Sequence, residues 1–180
     1  MGYSVELHFD AKSELIIKEY WKFLYENGGG EFMFINGCKP HISLAVYYSE
    51  MENLEKLQEI VKKNFEKIEK FKLRFSSIGV FPGEERVTFL NPKASSKLLS
   101  LQGRLYYEIK KNEIHKYYWG HYKPKVWVPH CTMIVNETIE RNLRGMEILS
   151  EIFVPFDAVV NNVALVEFYP FKNIMELELL

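Results

Sequence analysis

Two short segments carry the residues of this chain that are best suited to chemistry. Residues 40–44 are Pro-His-Ile-Ser-Leu and residues 129–133 are Pro-His-Cys-Thr-Met, so each holds a histidine and, two positions later, a hydroxyl side chain. More apolar residues follow both segments, which is typical of buried strands. Side chains two positions apart on a strand point to the same face, about 6–7 Å from each other. Each segment therefore delivers one imidazole and one hydroxyl to the same side of a strand.

Such a set suits the cleavage of a phosphodiester without a metal ion. An unperturbed imidazole titrates near pH 6.5, so near neutrality one of His41 and His130 can take a proton from the attacking water or hydroxyl. The other can give a proton to the leaving oxygen. The hydroxyls of Ser43 and Thr132 can donate hydrogen bonds to the phosphoryl oxygens. The sequence leaves open which histidine is the base and which is the acid, and the scheme needs no cofactor.

Length and composition are those of an ordinary globular protein. The chain has 180 residues, of which 47% are apolar and 26% are charged, so it is long enough for one domain with a hydrophobic core. The formal net charge is −1, which argues against a general nucleic-acid coat protein because such proteins carry a basic surplus. A small phosphate ester remains compatible with that charge. We find no linker and no low-complexity segment.

The cysteines and the hydrophobic pattern limit the compartment and the kinds of site. Cys38 and Cys131 are too few for a disulfide framework, and no Cys-x-x-Cys or His-Glu-x-x-His spacing indicates a metal site. Alternation turns the sulfur of Cys131 away from the face of His130, so we do not expect it to be a nucleophile. The first residues lack the features of a signal peptide, and no apolar run reaches the roughly 18 residues of a membrane helix. We therefore expect a cytoplasmic protein with no metal and no membrane partner.

Apolar periodicity predicts strands that alternate with amphipathic helices. Helices are expected after a cap at Asp10 or Ser13, after a capping box at 49–52, over about 96–111, and after a cap at Asn136. Residues 31–36 look extended, and residues 112–125 are interpreted as a loop rich in aromatic rings. Strands are expected at residues 3–9, 41–47, 71–75 with a continuation to a turn at 78–83, 87–90, the second motif, 163–168 and 174–179.

The paired motifs resemble the two His-x-(Ser/Thr)-apolar signatures of the 2H phosphoesterase superfamily, the family of RNA 2′,3′-cyclic phosphodiesterases and 2′-5′ RNA ligases. The resemblance covers nearly the whole chain. It implies one domain over residues 1–180 with an α+β, bilobal, pseudo-twofold fold, in which two antiparallel-sheet lobes with outer helices enclose a central cleft. It also implies hydrolysis of cyclic or 2′-5′ phosphodiesters without a metal. By position, the functional residues are His41, Ser43, His130 and Thr132, with serine where the first motif of the family has threonine.

Substrate contacts are sought among lysines beside the motifs and among aromatic rings that could stack on a base. The candidates are Lys39, Phe81, Tyr122, Lys125 and Tyr169. The expected partner is a small nucleotide or an RNA terminus with a cyclic or 2′-5′ phosphodiester, and no protein partner is evident. Two alternatives stay open: the reverse reaction, which joins RNA ends through a 2′-5′ bond, and a nucleotide- or RNA-binding module without significant turnover.

The other three histidines are expected to have no catalytic role. His8 alternates with the apolar residues of the first strand, which favours a structural or surface position. His115 and His121 fall in the loop rich in aromatic rings, where we expect them to be solvated or, as an alternative, to contact substrate.

Overall fold

Strands and helices alternate along the chain, as the apolar pattern predicts. The computed structural model describes residues 2–48, 53–84, 86–168 and 171–180. Within these residues lie seven strands, five α-helices and one short 3-10 helix. The strands are β1 (Gly2–Phe9), β2 (His41–Tyr48), β3 (Phe71–Phe81), β4 (Val87–Pro92), β5 (Cys131–Ile134), β6 (Phe156–Phe168) and β7 (Lys172–Glu178). The helices are α1 (Ala11–Glu26), α2 (Phe32–Ile35), α3 (Leu54–Phe65), α4 (Ser96–Lys111), α5 (Ile139–Ile152) and the 3-10 helix Gly120–Tyr122.

All seven strands join in one hydrogen-bonded sheet in the order β2-β1-β6-β3-β4-β5, with β7 also paired to β6. Every neighbouring pair is antiparallel. The predicted class, α+β with antiparallel strands and covering helices, is confirmed. The two strands that carry the motif hydroxyls, β2 and β5, stand at opposite ends of this order.

The two ends of the sheet nevertheless meet. The indole of Trp127, just before β5, donates a hydrogen bond to the backbone carbonyl of Ser43 on β2, and the thiol of Cys131 on β5 bonds to the backbone of His41. Register shifts interrupt several of the strand pairings, including β1 with β2 and β4 with β5. Such irregularities bend strands and increase their twist, which allows an open sheet to curl until its ends approach.

The helices α1, α3 and α4 cover the sheet with the apolar faces that the sequence predicts, for example Leu98, Leu101 and Leu105 of α4, and full burial of such a side chain contributes about 1.5–3 kcal/mol. In α5 the apolar spacing favours Ile139 and Leu143, but both are exposed, and the helix packs through Asn142, Gly145, Ile148 and Leu149 instead. The predicted cap of α1 at Asp10 is confirmed, because its side chain accepts from the backbone N–H of Ser13. No helix within the described residues is both long and apolar enough to cross a membrane.

Two local predictions are wrong, and a third falls on residues that the structure does not describe. Residues 31–36 are not extended: Phe32–Ile35 form the short helix α2, and the carboxylate of Glu137 accepts from the backbone N–H groups of Glu31 and Phe32 at its start. The cap of α5 is Thr138 and not Asn136, which has a positive φ of 56°. The capping box at 49–52 lies outside the described residues.

Candidate active site

The first motif presents an oriented imidazole at the start of β2. Nδ1 of His41 donates a hydrogen bond of 2.8 Å to the backbone carbonyl of Lys39. A carbonyl oxygen can only accept, so this bond assigns a proton to Nδ1 and leaves Nε2 as the nitrogen that can exchange protons with a substrate. Ser43, two residues further along the strand, is buried.

The second motif repeats this arrangement. Nδ1 of His130 donates a hydrogen bond of 2.7 Å to the backbone carbonyl of Val128, again two residues upstream. Thr132 lies on β5, opposite Phe89 in the β4–β5 register, and is partly buried. The two halves of the chain therefore fix their imidazoles with the same tautomer, by the same local bond.

The structure brings the two motifs together. The pKa of His130 falls because the ring is buried and because a positive charge on His41 disfavours a second charge beside it. Cys131, in the second motif, is fully buried, and burial raises the pKa of its thiol to about 12. A thiol with such a pKa is a poor nucleophile.

Two tryptophans that the sequence analysis did not single out tie each motif to the other half of the chain. Trp127 donates from Nε1 to the carbonyl of Ser43 at 3.1 Å, and Trp21 on α1 donates from Nε1 to the carbonyl of Thr132 at 3.1 Å. Trp127 lies close to the second motif in sequence, whereas no local signal marks Trp21. The two bonds fix the backbone beneath both hydroxyl side chains.

The two histidines have different surroundings. Two phenyl rings pack on His130, that of Phe81 at 4.9 Å between ring centroids and that of Phe89 at 5.2 Å. Burial therefore lowers the pKa of His130, the charge of His41 lowers it further, and the hydrogen bond to Val128 offsets part of this effect. Phe81, proposed from the sequence as a substrate contact, lies beside a motif histidine.

Polar residues of β1 lie against the first motif. Ser4, Glu6 and His8 are all buried, although they occupy the face of β1 opposite to its apolar residues. In the β1–β2 register Glu6 stands opposite Ser43, and His8 opposite His41. His8 is thus structural and not a surface residue. Glu6 was missed, although the alternation of three polar residues on one strand face was a signal for a polar site.

The remaining predicted substrate residues are spread around the motifs. Tyr122, in the 3-10 helix, forms a side-chain hydrogen bond with Ser43, and burial raises the pKa of its phenol to about 12. Lys39 pairs with Glu176 at 2.7 Å, and Lys125 is exposed. Tyr169 lies outside the described residues.

The two loop histidines, His115 and His121, are exposed, as expected for solvated residues. In the part of the chain that the structure describes, no three histidine, cysteine, aspartate or glutamate side chains are grouped so that they could hold a metal ion.

Comparisons with known proteins bear on the family and the fold of the chain. A family model described as the 2′-5′ RNA ligase superfamily matches residues 16–169, and no curated protein sequence matches the chain. The crystal structure of E. coli LigT complexed with 3′-AMP is similar over 99% of this chain and 97% of that chain, with a TM-score of 0.66 and 14% identity. The crystal structure of TT0787 from Thermus thermophilus is similar over 99% and 98%, with a TM-score of 0.67 and 16% identity. At these identities the likeness shows a shared fold.

Proposed function

Because the chain belongs to the 2′-5′ RNA ligase superfamily, the 2H phosphoesterases, we propose that it is a phosphodiesterase that hydrolyses a 2′,3′-cyclic phosphate, or a related cyclic or 2′-5′ phosphodiester, by acid–base catalysis with two histidines. One observation carries the proposal. The hydrogen bond from Trp127 to the Ser43 carbonyl holds the second motif against the first, and each motif imidazole is fixed through Nδ1 by a backbone carbonyl. Two Nε2 atoms are thereby left for proton transfer at one substrate.

His130 is the general base in this scheme. Its lowered pKa keeps the ring neutral at neutral pH, so Nε2 has a free lone pair. That lone pair removes a proton from water as the water oxygen forms a bond to phosphorus.

His41 is the general acid. The carboxylate of Glu6 lies 3.7 Å from Nε2 of His41, a distance at which opposite charges attract. As the bond between phosphorus and the ribose oxygen breaks, His41 gives its Nε2 proton to that oxygen. Solvent then removes the proton gained by His130 and returns one to His41. Each proton transfer contributes about a hundredfold to ten-thousandfold in rate.

Ser43 and Thr132 stabilise the phosphoryl group in our proposal. Their hydroxyls donate to the non-bridging oxygens as negative charge grows there. The Tyr122 phenol, bonded to Ser43, orients that hydroxyl. The crystal structure of E. coli LigT complexed with 3′-AMP supports a nucleotide or RNA terminus as the substrate class, with Phe81 available to stack and Lys39 and Lys125 available to attract the phosphate.

Incubation with a 2′,3′-cyclic nucleotide in the presence of EDTA tests the proposal. The wild type should release a nucleoside monophosphate, and His41→Ala and His130→Ala should each lose at least about a hundredfold in kcat/KM. His115→Ala and His121→Ala, which replace exposed loop histidines, serve as matched controls and should retain wild-type turnover. Binding without turnover over a panel of cyclic and 2′-5′ substrates would instead identify a binding module.

A further inference from the structure

A buried carboxylate on β1 lies against the first motif, where it transfers no proton in the proposed reaction. Glu6 is only 4% exposed, and its Oε1 lies 3.7 Å from Nε2 of His41. An ionised carboxylate is costly to bury unless charged or polar neighbours compensate for the lost water. The neighbours of Glu6 therefore show what its charge stabilises.

Three side chains keep Glu6 ionised. The Ser4 hydroxyl donates a hydrogen bond to Oε1, and Nε2 of His8 lies 3.0 Å from Oε2. Burial alone would raise the pKa of Glu6, but the charge of His41 and the hydrogen bonds from His8 and Ser4 outweigh it and leave that pKa below its usual range. Glu6 is therefore negatively charged at neutral pH.

His8 links Glu6 to a second carboxylate nearer the surface. Nδ1 of His8 lies 3.2 Å from Oε1 of Glu176, which also accepts a hydrogen bond of 2.7 Å from Lys39. Carboxylate oxygens only accept, so this geometry suits a His8 ring with a proton on both nitrogens. Positive and negative groups thus alternate from Lys39 inward to Glu6, and they fix the position of the carboxylate that faces the catalytic ring.

Glu6 and His41 are close enough for opposite charges to attract but too far apart to form a hydrogen bond. At 3.7 Å the contact is too long for an N–H···O hydrogen bond, although two opposite charges at that distance still attract. The Nε2 proton of His41 is therefore not committed to Glu6. Within the described residues His130 forms no ion pair, since phenyl rings pack against it instead.

We propose that Glu6 is a positioning residue that acts through His41: its carboxylate stabilises the His41 imidazolium while leaving the Nε2 proton free for the leaving oxygen, and so makes His41 the acid of the pair. This inference rests on the proposed hydrolysis. It assigns a functional reason to a charge that would otherwise be a cost to folding.

Other titratable groups face Glu6 and His41 from the neighbouring elements. They are His8 on β1, Cys38 before β2, Tyr122 in the 3-10 helix, His130 and Cys131. Burial raises the pKa values of both thiols and of the phenol, so these three groups stay neutral at neutral pH. His8 contacts both Glu6 and Glu176, so a control variant must perturb His8 without touching His41. Glu176→Gln meets this requirement.

The test compares wild type, Glu6→Gln, Glu6→Asp and Glu176→Gln in the hydrolysis of 2′,3′-cyclic AMP between about pH 5 and 9. In Glu6→Gln at neutral pH, kcat should fall about tenfold or more while KM changes less than about twofold, because Glu6 does not touch the substrate. The alkaline limb of the pH profile of kcat/KM should move to lower pH, because the positive charge on the acid then lacks its negative neighbour. Glu6→Asp keeps the negative charge but shortens the side chain by one methylene. The alkaline limb of this variant should therefore also move to lower pH, by a smaller amount than in Glu6→Gln. Glu176→Gln should keep the limb of the wild type.

Thermal unfolding identifies the variants that fold. If Glu6→Gln does not fold, the position of the alkaline limb in Glu6→Asp tests the positioning role instead. An unmoved alkaline limb in the folded variant overturns the positioning role, as does a Glu176→Gln variant that loses as much activity as Glu6→Gln. Both results leave the proposed hydrolysis standing. Failure of the hydrolysis itself is seen separately, as an absence of turnover in the wild type.

Discussion

The Nε1 atom of Trp127 donates a hydrogen bond of 3.1 Å to the backbone carbonyl of Ser43, so the second half of the chain fixes the hydroxyl-bearing strand of the first. Trp21 on α1 does the same for Thr132. The motifs lie on strands at opposite ends of the sheet order. These two indoles are therefore part of what keeps the imidazoles and hydroxyls at one site.

The Trp127 bond predicts a loss of both stability and activity in Trp127→Phe. A buried carbonyl left without its donor costs about 1–3 kcal/mol, and the Ser43 strand is then free to shift relative to the second motif. Urea denaturation and turnover of a cyclic nucleotide measure the two effects. Trp119→Phe is the matched control, because the buried Nε1 of Trp119 has no hydrogen-bond partner within the described residues. Equal losses in the two variants would contradict a role for the hydrogen bond.

We expect the phenyl rings packed on His130 to keep the pKa of this residue low. Phe81→Ala admits water to the imidazole, so the pKa of His130 should rise toward its ordinary value as the desolvation decreases. An NMR titration of the imidazole C–H signals, assigned with His130→Gln, measures the change. Phe23→Ala, which removes an exposed ring of α1, should leave the titration as in the wild type. An unchanged pKa in Phe81→Ala would show that Phe81 does not desolvate His130.

The lowered pKa of His130 also predicts how stability depends on pH. Because the folded pKa lies below the unfolded value near 6.5, the unfolded chain binds this proton first as pH falls. The contribution to stability is complete above about pH 6.5 and is lost progressively below it. Between about pH 7.5 and 5.5 the wild type should therefore lose more free energy of unfolding than His130→Asn. His121→Asn, at an exposed histidine, should lose as much as the wild type, and equal losses in all three would refute the prediction.

Two glycines inside helices predict opposite effects of the same substitution. A Cβ on Gly145 of α5 would overlap the backbone carbonyl of Gly29 and the side chain of Ile134 on β5, whereas a Cβ on Gly103 of α4 would meet nothing within 4 Å. Gly145→Ala should destabilise the protein by about 1–3 kcal/mol through overpacking. Gly103→Ala should stabilise it by about 0.5–1 kcal/mol, because alanine is the better helix former. Thermal and chemical denaturation of the two variants measure these changes in the free energy of unfolding. A stabilising effect of Gly145→Ala would contradict the close packing at this position.

Local patterns were sufficient to predict most of the elements and the two motifs. Alternation in β1 and the helical spacing of apolar residues in α4 depend only on neighbours in sequence, and both predictions were confirmed. The pairing of each histidine with a hydroxyl two residues later follows from the geometry of a single strand. The short helix α2 could not be predicted in this way, because its first N–H groups bond to Glu137, more than a hundred residues away.

The environment of the motifs depends on contacts that a sequence pattern does not contain. Glu6 becomes a buried neighbour of His41 only because β1 lies between β2 and β6 and pairs with both. Trp21 reaches Thr132 from a helix more than a hundred residues upstream. The sequence motifs are nearly symmetric, and the structure shows the asymmetry: a carboxylate beside one imidazole and two phenyl rings around the other.

Acid–base catalysis by the two histidines is tested most directly by the pH dependence of kcat/KM for a 2′,3′-cyclic nucleotide in the presence of EDTA. We predict a bell-shaped profile, because His130 must be neutral and His41 must be protonated in the same molecule. His130→Ala should remove the acid limb, and His41→Ala should remove the alkaline limb. A wild-type profile that is flat from about pH 5 to 9 would contradict the assignment of two titrating imidazoles as the base and the acid.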